Sequence, residues 1–335
     1  MRHFRVVTLV SLMLLVLAFD VAASQLVIYS GRSERFVLPL IQEFESETGI
    51  QVQLLSGDAA QYIHRLTAEQ ARPRADLFLA NDGAILEVAR TQGLFQAITS
   101  ESTEIIPNSF RAVDDSWIGL AARTRVFMYN TDLMGEADVP QRIMDLADPR
   151  YHGQFAITRA GNSSMVTHIS ALRAMYGDQQ VREFLQGVLA NEPLILRGHT
   201  DIRRAVGAGE VAFGLVNNYY YHLQLDEPVD NQVAAVYPDQ GPDEMGAFVN
   251  VSGVGLVKGA PNQANALAFI DFLLRTDNLE TYSLESRETP LVAGIPAFEH
   301  ARTIDQYKTA DLNLSELGDV YLDTLDLMEA VGFAE

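Results

Sequence analysis

Short apolar runs alternate along the chain with segments whose apolar residues recur at helical spacing. The run Leu26–Tyr29 comes first, and the segment that follows it ends at Thr48-Gly49. That segment has apolar residues at i, i+4, i+5 and i+8: Phe36, Leu40, Ile41 and Phe44. Strands and helices then continue in alternation: Ile50–Leu55, Tyr62–Ala71, Ala75–Ala80 and Ala84–Thr91. This β-α-β-α-β order predicts a mostly parallel sheet covered by helices.

A second alternation occupies the middle of the chain. Its predicted elements are strand Gln154–Thr158, helices Met165–Tyr176 and Gln180–Leu189, strand Leu194–Leu196, helix Asp201–Gly207 and strand Val211–Val216. Two long β-rich stretches, Trp117–Tyr129 and Gly246–Val257, bracket this part, and we interpret them as crossings between two lobes. Helices are also predicted over Asn262–Leu274 and Ser315–Ala330, the latter with Ser315 as its N-cap.

The predicted fold class is therefore α/β in two lobes, each a mostly parallel sheet flanked by helices, joined by two crossing strands. A chain of 335 residues is longer than a single hydrophobic core usually supports, which also favours two lobes. We expect lobe 1 to be discontinuous, over residues 24–121 plus 248–298, and lobe 2 to cover 122–247. Residues 299–335 are expected to form a C-terminal helical segment that packs on both lobes.

Residues 1–23 have the composition of an export signal. Arg2 and Arg5 form a basic start, Val6–Phe19 an apolar core, and Val21-Ala22-Ala23 a cleavage site with small residues. The apolar core is short for a bilayer span, although an uncleaved anchor stays an alternative. The chain has no cysteine, which excludes disulfides, thiolate metal sites, cysteine nucleophiles and a lipoprotein anchor. We expect a protein exported to the periplasm.

The composition is strongly acidic, with a formal net charge of −20. Such a balance argues against binding to nucleic acids, whose phosphates require a basic face, and against anionic membrane surfaces. It would attract cations over a distance. A solubility charge explains the same balance equally well.

Three consecutive tyrosines, Tyr219–Tyr221, follow the predicted strand Val211–Val216 and the pair Asn217-Asn218. Either asparagine can cap a helix that starts there, which would place Tyr219 and Tyr220 in the first turn. Phenolate oxygens suit a hard, highly charged cation such as ferric iron. The alternative is an aromatic belt at a domain seam.

Other candidates lie where predicted strands end, since ligands of open α/β sheets bind at the carboxyl ends of strands. This rule selects four turns: Ser30–Glu34, Asn81–Gly83, Ala160–Ser164 and Asn217–Tyr220. Arg32 could hold a small oxyanion. Glu34 and Asp82 could supply carboxylates, although turn chemistry and the helix dipole also explain them. Arg123 and Arg125 alternate along the first crossing, where they could meet an anion or balance the acidic surface.

The sequence contains none of the motifs GxSxG, Walker A or GxGxxG, and its seven histidines show no HxxxH pairing. We therefore expect a binding protein and not an enzyme. A small anionic organic solute of the phosphonate, thiamine or carboxylate type is the alternative cargo.

The residues resemble the ferric-ion-binding proteins of bacterial ABC iron importers, in the type II periplasmic-binding-protein superfamily. The resemblance covers nearly all of the chain after the export signal. Its motifs are Val27–Arg32, Phe44–Ile50, Ala75–Phe78, Arg125–Asn130 and Gly209–Gly214, continued into Asn217–Tyr221.

This resemblance implies a monomer that binds Fe(III) between two lobes and delivers it to an ABC permease and its ATPase at the inner membrane. It implies Tyr219 and Tyr220 as metal ligands; an anion, water, Glu34 or Asp82 must supply the rest. It also implies a synergistic anion, carbonate or phosphate. The residues expected to bind that anion are Ser30, Arg32, Gly161, Asn162, Ser163 and Asn217.

The chain departs from this family in three places. Many relatives have His or His-Tyr where Ser33 and Glu34 stand, and some have Glu in place of Asn81. Others have a third tyrosine near Ser164, where this chain has none. Two phenolates are therefore the only metal ligands that the resemblance implies with a matching residue.

Overall fold

The computed structural model describes residues 25–333, so the predicted export signal lies outside the described residues. Within that range, no helix combines the length and the apolar character that a membrane crossing would require.

The first part of the chain forms the predicted alternation of strands and helices. Its elements are β1 (Gln25–Ser30), α1 (Leu38–Thr48), β2 (Gln51–Ser56), α2 (Ala59–Ala68), β3 (Leu77–Ala80) and α3 (Gly83–Thr91). Strand β1 lies between β2 and β3 and runs parallel to both. Helix α1 ends at Gly49, whose φ of 72° is the left-handed conformation that glycine adopts without strain.

The middle of the chain forms a second set of elements. These are β4 (Trp117–Asn130), β5 (Phe155–Thr158), α4 (Ser163–Tyr176), α5 (Asp178–Ala190), β6 (Leu194–Leu196), α6 (His199–Gly207), β7 (Phe213–Asn217), α7 (Asn218–Leu225) and β8 (Val233–Val236). Strand β5 runs parallel to both β6 and β7. The chain then returns through β9 (Val249–Leu256), α8 (Gln263–Leu273), α9 (Thr276–Ser286), β10 (Thr289–Pro290) and α10 (Gly318–Ala330). The sequence patterns predicted neither β8, α9 nor β10.

Strand β4 joins the two halves of the molecule. Its residues 117–124 pair antiparallel with β9, whereas residues 125–129 pair antiparallel with β7. All fourteen residues of β4 are buried. The expectation of mostly parallel sheets was too simple, because a strand that leaves one half and a strand that returns must run in opposite directions side by side. Both sheets are therefore mixed.

The C-terminal helix α10 packs against α3 from the first half and α4 from the second. On the α4 side, the Ser170 hydroxyl donates to Thr324 Oγ1 at 2.9 Å. On the α3 side, Gly318 lies so close to Glu87 that an added Cβ would meet its side chain at 2.7 Å. Ser315 is not the N-cap that we expected. A 3-10 turn, Leu314–Leu317, precedes the helix, and Asn313 caps that turn by accepting from the Ser315 amide.

Glycine lets β9 lie between β3 and β4. A Cβ added to Gly253 would lie 2.3 Å from the carbonyl oxygen of Ile118 on β4, which is a backbone atom that cannot move away easily. We expect Gly253→Ala to lower the free energy of unfolding by about 1–3 kcal/mol, measured by urea denaturation.

The matched control is Gly161→Ala, since a Cβ there would meet no atom within 4 Å. Equal stability of the two variants would contradict this account of the crossing strands.

Candidate functional site

The two tyrosines lie in the first turn of α7, as the sequence predicted. Tyr219 is 6% exposed and Tyr220 is half-buried, and their ring centroids lie 4.1 Å apart. Both side chains line one cavity of about 570 Å³. All residues of β7 are buried in the second sheet. The strand ends at Asn217 and α7 begins at the next residue, which places the start of this helix at the cavity.

We expected one of the two asparagines before the tyrosines to cap α7 with its side chain, and the structure shows no such cap. Asn217 occupies the N-cap position, but its side chain caps no helix amide and accepts from Arg125 Nη1 at 3.1 Å. The side chain of Asn218 accepts from the amide of Thr124 on β4 at 3.0 Å. Both asparagines therefore attach the start of α7 to the crossing strand.

A buried carboxylate organises the wall beside Tyr219. Glu288 is 1% exposed, and its Oε1 lies 3.1 Å from Arg32 Nη1 and 3.2 Å from Arg123 Nε. Its other oxygen accepts from the hydroxyl of Ser252 at 2.7 Å. Arg123 in turn donates from Nη2 to the phenol oxygen of Tyr219 at 3.2 Å. Glu288 thus holds an arginine against the phenol.

These contacts set the protonation states of the side chains around Tyr219. Burial, and next to it the neighbouring Tyr220, raise the pKa of Tyr219 well above 10, although Arg123 opposes the shift. Burial disfavours charge on Arg123, but Tyr219 and Glu288 outweigh it and raise the pKa of Arg123. At neutral pH the Tyr219 phenol is therefore neutral beside a charged guanidinium. A cationic ligand must displace its proton.

Arg125 connects the two strand ends of the second sheet. It donates from Nη2 to the carbonyl of Ser164 at 2.6 Å, and its Nη1 lies 2.8 Å from Nε2 of His199. Burial, followed by repulsion from Arg123, lowers the pKa of Arg125 to about 9, so it still carries its charge at neutral pH. Burial and Arg125 lower the pKa of His199 well below 6.5, so this imidazole is neutral.

The cavity wall is rich in arginine. Its charged side chains are Arg32, Arg35, Arg123, Arg203, Arg204, Asp226, Glu227 and Glu288. Arg203 pairs with Glu227 at 2.8 Å, and Asp226 pairs with Arg287 at 3.1 Å. The described residues offer Arg35 and Arg204 no carboxylate partner within 4 Å. The cavity is therefore locally cationic on a strongly acidic chain.

The predicted anion residues lie in three different places. Arg32 lines the tyrosine cavity, and Ser30 supports its turn by accepting from the Arg32 amide at 3.1 Å. Asn217 is buried in the Arg125 network. The turn residues Gly161, Asn162 and Ser163 instead line a second cavity of about 630 Å³. Asn81 lines both cavities, so the two adjoin there.

Neither predicted carboxylate lines the tyrosine cavity. Glu34 is exposed in the 3-10 turn Glu34–Phe36. Asp82 is fully buried, where its Oδ1 accepts from the Ala84 amide at 3.0 Å and from the Thr167 hydroxyl at 2.8 Å. Burial raises the pKa of Asp82, although its hydrogen bonds oppose the shift. Asp82 therefore caps α3 and joins it to α4. The carboxylate that sequence reasoning missed is Glu288.

The model of the bacterial extracellular solute-binding protein family matches residues 39–310 of the chain. The chain belongs to this family.

Its relatives include proteins named for iron. Iron uptake protein A2 of Synechocystis is 32% identical over 291 residues, which cover 84% of each chain. The Fe(3+)-binding periplasmic protein of Serratia marcescens is 28% identical over 285 residues, 81% of this chain and 83% of that one. The solved structure of Trichodesmium FutA (IdiA) in complex with iron and citrate superposes with a TM-score of 0.84. It is 28% identical, and the match covers 92% of this chain and 100% of that one. These likenesses confirm the two-lobed type II fold.

Removing one charge from the buried trio tests its role in stability. Glu288→Gln leaves Arg32 and Arg123 close together in the interior without a counter-charge, so we expect a loss of about 3–5 kcal/mol in the free energy of unfolding of the empty protein. Urea denaturation measures it.

The control is Asp226→Asn, the same chemical change in the same cavity wall at a side chain that is 43% exposed. Its expected cost is below about 1 kcal/mol. A comparable loss in both variants would show that Glu288 does not organise the wall.

Proposed function

We propose that the chain is a periplasmic solute-binding protein that captures Fe(III) through the phenolates of Tyr219 and Tyr220, together with an anion. The observation that carries the proposal is the pair of adjacent phenols in one cavity lined by residues of both halves. The names of the relatives support iron as the cargo. Fe(III) favours hard oxygen ligands such as these.

The charges of the site fit a trivalent cation only when an anion is bound as well. Two phenolates neutralise two of the three charges on Fe(III), and Arg123 beside Tyr219 adds a positive charge. An anion must therefore accompany the metal. Arg32 lines the cavity, and among residues 25–333 its Nε and Nη2 have no hydrogen-bond acceptor, so this guanidinium is the donor that we assign to the anion. Carbonate and phosphate both have oxygens that a guanidinium binds well.

We also propose that the protein delivers its bound cargo and catalyses no reaction. Family members serve ABC transporters, and we propose that this chain acts as a monomer that presents its cargo to an ABC permease and its ATPase. Two halves joined by buried crossing strands suit hinge closure around a cargo. A small anionic organic solute without iron is the second candidate, and the arginine-rich wall is the observation that favours it.

Titration of the protein with a ferric salt tests the metal ligands. We expect a visible charge-transfer band from phenolate to iron, which is lost in Tyr219→Phe and Tyr220→Phe. Tyr221→Phe is the matched control, because Tyr221 is adjacent in sequence and does not line the cavity. Iron binding that survives in both ligand variants would remove these tyrosines from the site. An uncoloured protein that binds citrate in the absence of iron would favour the second candidate.

Acid should release the cargo. Burial keeps Tyr219 protonated, so iron binding releases its proton, and a second phenolate ligand would release another. We expect the affinity for iron to fall as pH falls, by up to about one hundredfold per pH unit for two protons. Competition with a chelator of known pH dependence measures this slope. A slope near zero after that correction would contradict phenolate ligation.

A further inference from the structure

A series of buried polar contacts leads from α9 to the phenol of Tyr219. The Tyr282 hydroxyl donates to Ser252 Oγ at 3.3 Å, and the Ser252 hydroxyl donates to Glu288 Oε2 at 2.7 Å. The other carboxylate oxygen, Oε1, lies 3.2 Å from Arg123 Nε, and Arg123 Nη2 donates to the Tyr219 oxygen at 3.2 Å. All five residues are at most 6% exposed. We call Tyr282, Ser252, Glu288 and Arg123 the Glu288 network.

The network fixes the orientation of Arg123. A guanidinium is planar, so a contact at Nε and a contact at Nη2 together determine where the whole group lies. Arg32 also holds the carboxylate, since its Nη1 donates to Glu288 Oε1 at 3.1 Å and its Cζ lies 4.9 Å from the centroid of the Tyr282 ring. Ser252 holds the remaining oxygen. Glu288 therefore has a defined position, and Arg123 takes its position from it.

The two phenols of the cavity have different surroundings. The Tyr219 oxygen accepts a hydrogen bond from Arg123. Within residues 25–333 no arginine donates to the oxygen of Tyr220, whose half-buried ring packs edge-on against His199 with 5.0 Å between the centroids. Two identical side chains, adjacent in sequence, thus differ in whether a charged donor contacts their oxygen.

A charged donor on the oxygen changes how much charge that oxygen can give to a metal. A phenolate attracts a guanidinium N–H more strongly than a phenol does, so the hydrogen bond from Arg123 persists when Tyr219 loses its proton. The same bond draws electron density away from the oxygen. Groups that contact a metal ligand in this way tune the ligand without touching the metal. A phenolate so held donates less to the metal, and light of higher energy is needed to transfer an electron from it.

We propose that Glu288 and Ser252 are positioning residues for the ferric cargo. Through Arg123 they hold a hydrogen bond on the oxygen of Tyr219, so that Tyr219 and Tyr220 bind the metal as unequal ligands, with Tyr219 the weaker electron donor. This inference rests on the proposed iron function and adds the residues that control one of its two tyrosines. Ser252 does not line the cavity, so its effect must pass through Glu288.

The visible spectrum of the protein loaded with a ferric salt tests this control. Glu288→Asp keeps the charge but withdraws the carboxylate from Arg123 by one methylene, and Ser252→Ala removes the donor to Oε2. Both changes loosen Arg123 from Tyr219, which makes its phenolate the stronger donor. We expect the charge-transfer band to move to longer wavelength in each variant, at unchanged pH.

The matched controls are Glu87→Asp and Ser170→Ala. Glu87 is a fully buried carboxylate paired with Arg90, and Ser170 is a fully buried hydroxyl that donates to Thr324. Neither lines the tyrosine cavity or the cavity that adjoins it. Both controls should keep the wavelength of the wild type, even where they lower the free energy of unfolding as much as the network variants do.

A second measurement uses the iron-free protein. Tyrosine labelled with ¹³C at Cζ reports hydrogen bonding at the phenol oxygen by NMR, and the loss of one signal in Tyr219→Phe identifies Tyr219. We expect this signal to shift in Glu288→Asp and Ser252→Ala and to stay in place in the two controls. An unshifted signal in the network variants would overturn the positioning role. A shifted signal with an unmoved band would overturn the tuning of the metal ligand, whereas a wild type without any band would count against the iron function itself.

Discussion

The buried contact of Glu288 with two arginines is the interaction on which the site depends. The three charged residues come from distant parts of the chain: Arg32 lies after β1, Arg123 on the crossing strand β4, and Glu288 just before β10. A buried carboxylate without arginines would be costly, and so would the arginines without the carboxylate. Each therefore needs the others, and the position of Arg123 against Tyr219 follows from this mutual requirement.

The crossing strand connects this cluster to the two tyrosines of the cavity. In an extended strand Arg123 and Arg125 point to the same face, and both reach functional turns. Arg123 contacts Tyr219, Arg125 contacts the starts of α4 and α7, and the Thr124 amide between them donates to Asn218. A shift of β4 against β9 or β7 would thus move both arginines relative to the phenols. Movement of the two halves is in this way coupled to the geometry of the cavity.

The local features of the sequence were enough to predict much of the fold. Apolar periodicity predicted the strands and helices around β1 to α3 and β5 to α7, and it placed Tyr219 and Tyr220 at a helix start, because these features depend on neighbouring residues. Glu288 could not be found in this way. It precedes a two-residue strand without a sequence signature, and its partner Arg32 lies 256 positions away. The turn at Gly161 was predicted as part of the tyrosine site, but which cavity a turn lines depends on how the two halves pack.

The acidity of the chain and the arginines of its cleft act over different distances. A net charge of −20 attracts cations and repels anions at a distance from the surface. Salt screens such long-range effects beyond about 8–10 Å, whereas charges in direct contact with a ligand are screened less. The five arginines of the cavity wall, set against three carboxylates, therefore act more strongly than the distant surface on a ligand that reaches the cleft. The overall charge is then explained by solubility, whereas the charge that a ligand meets in the cavity is set by its local excess of guanidinium groups.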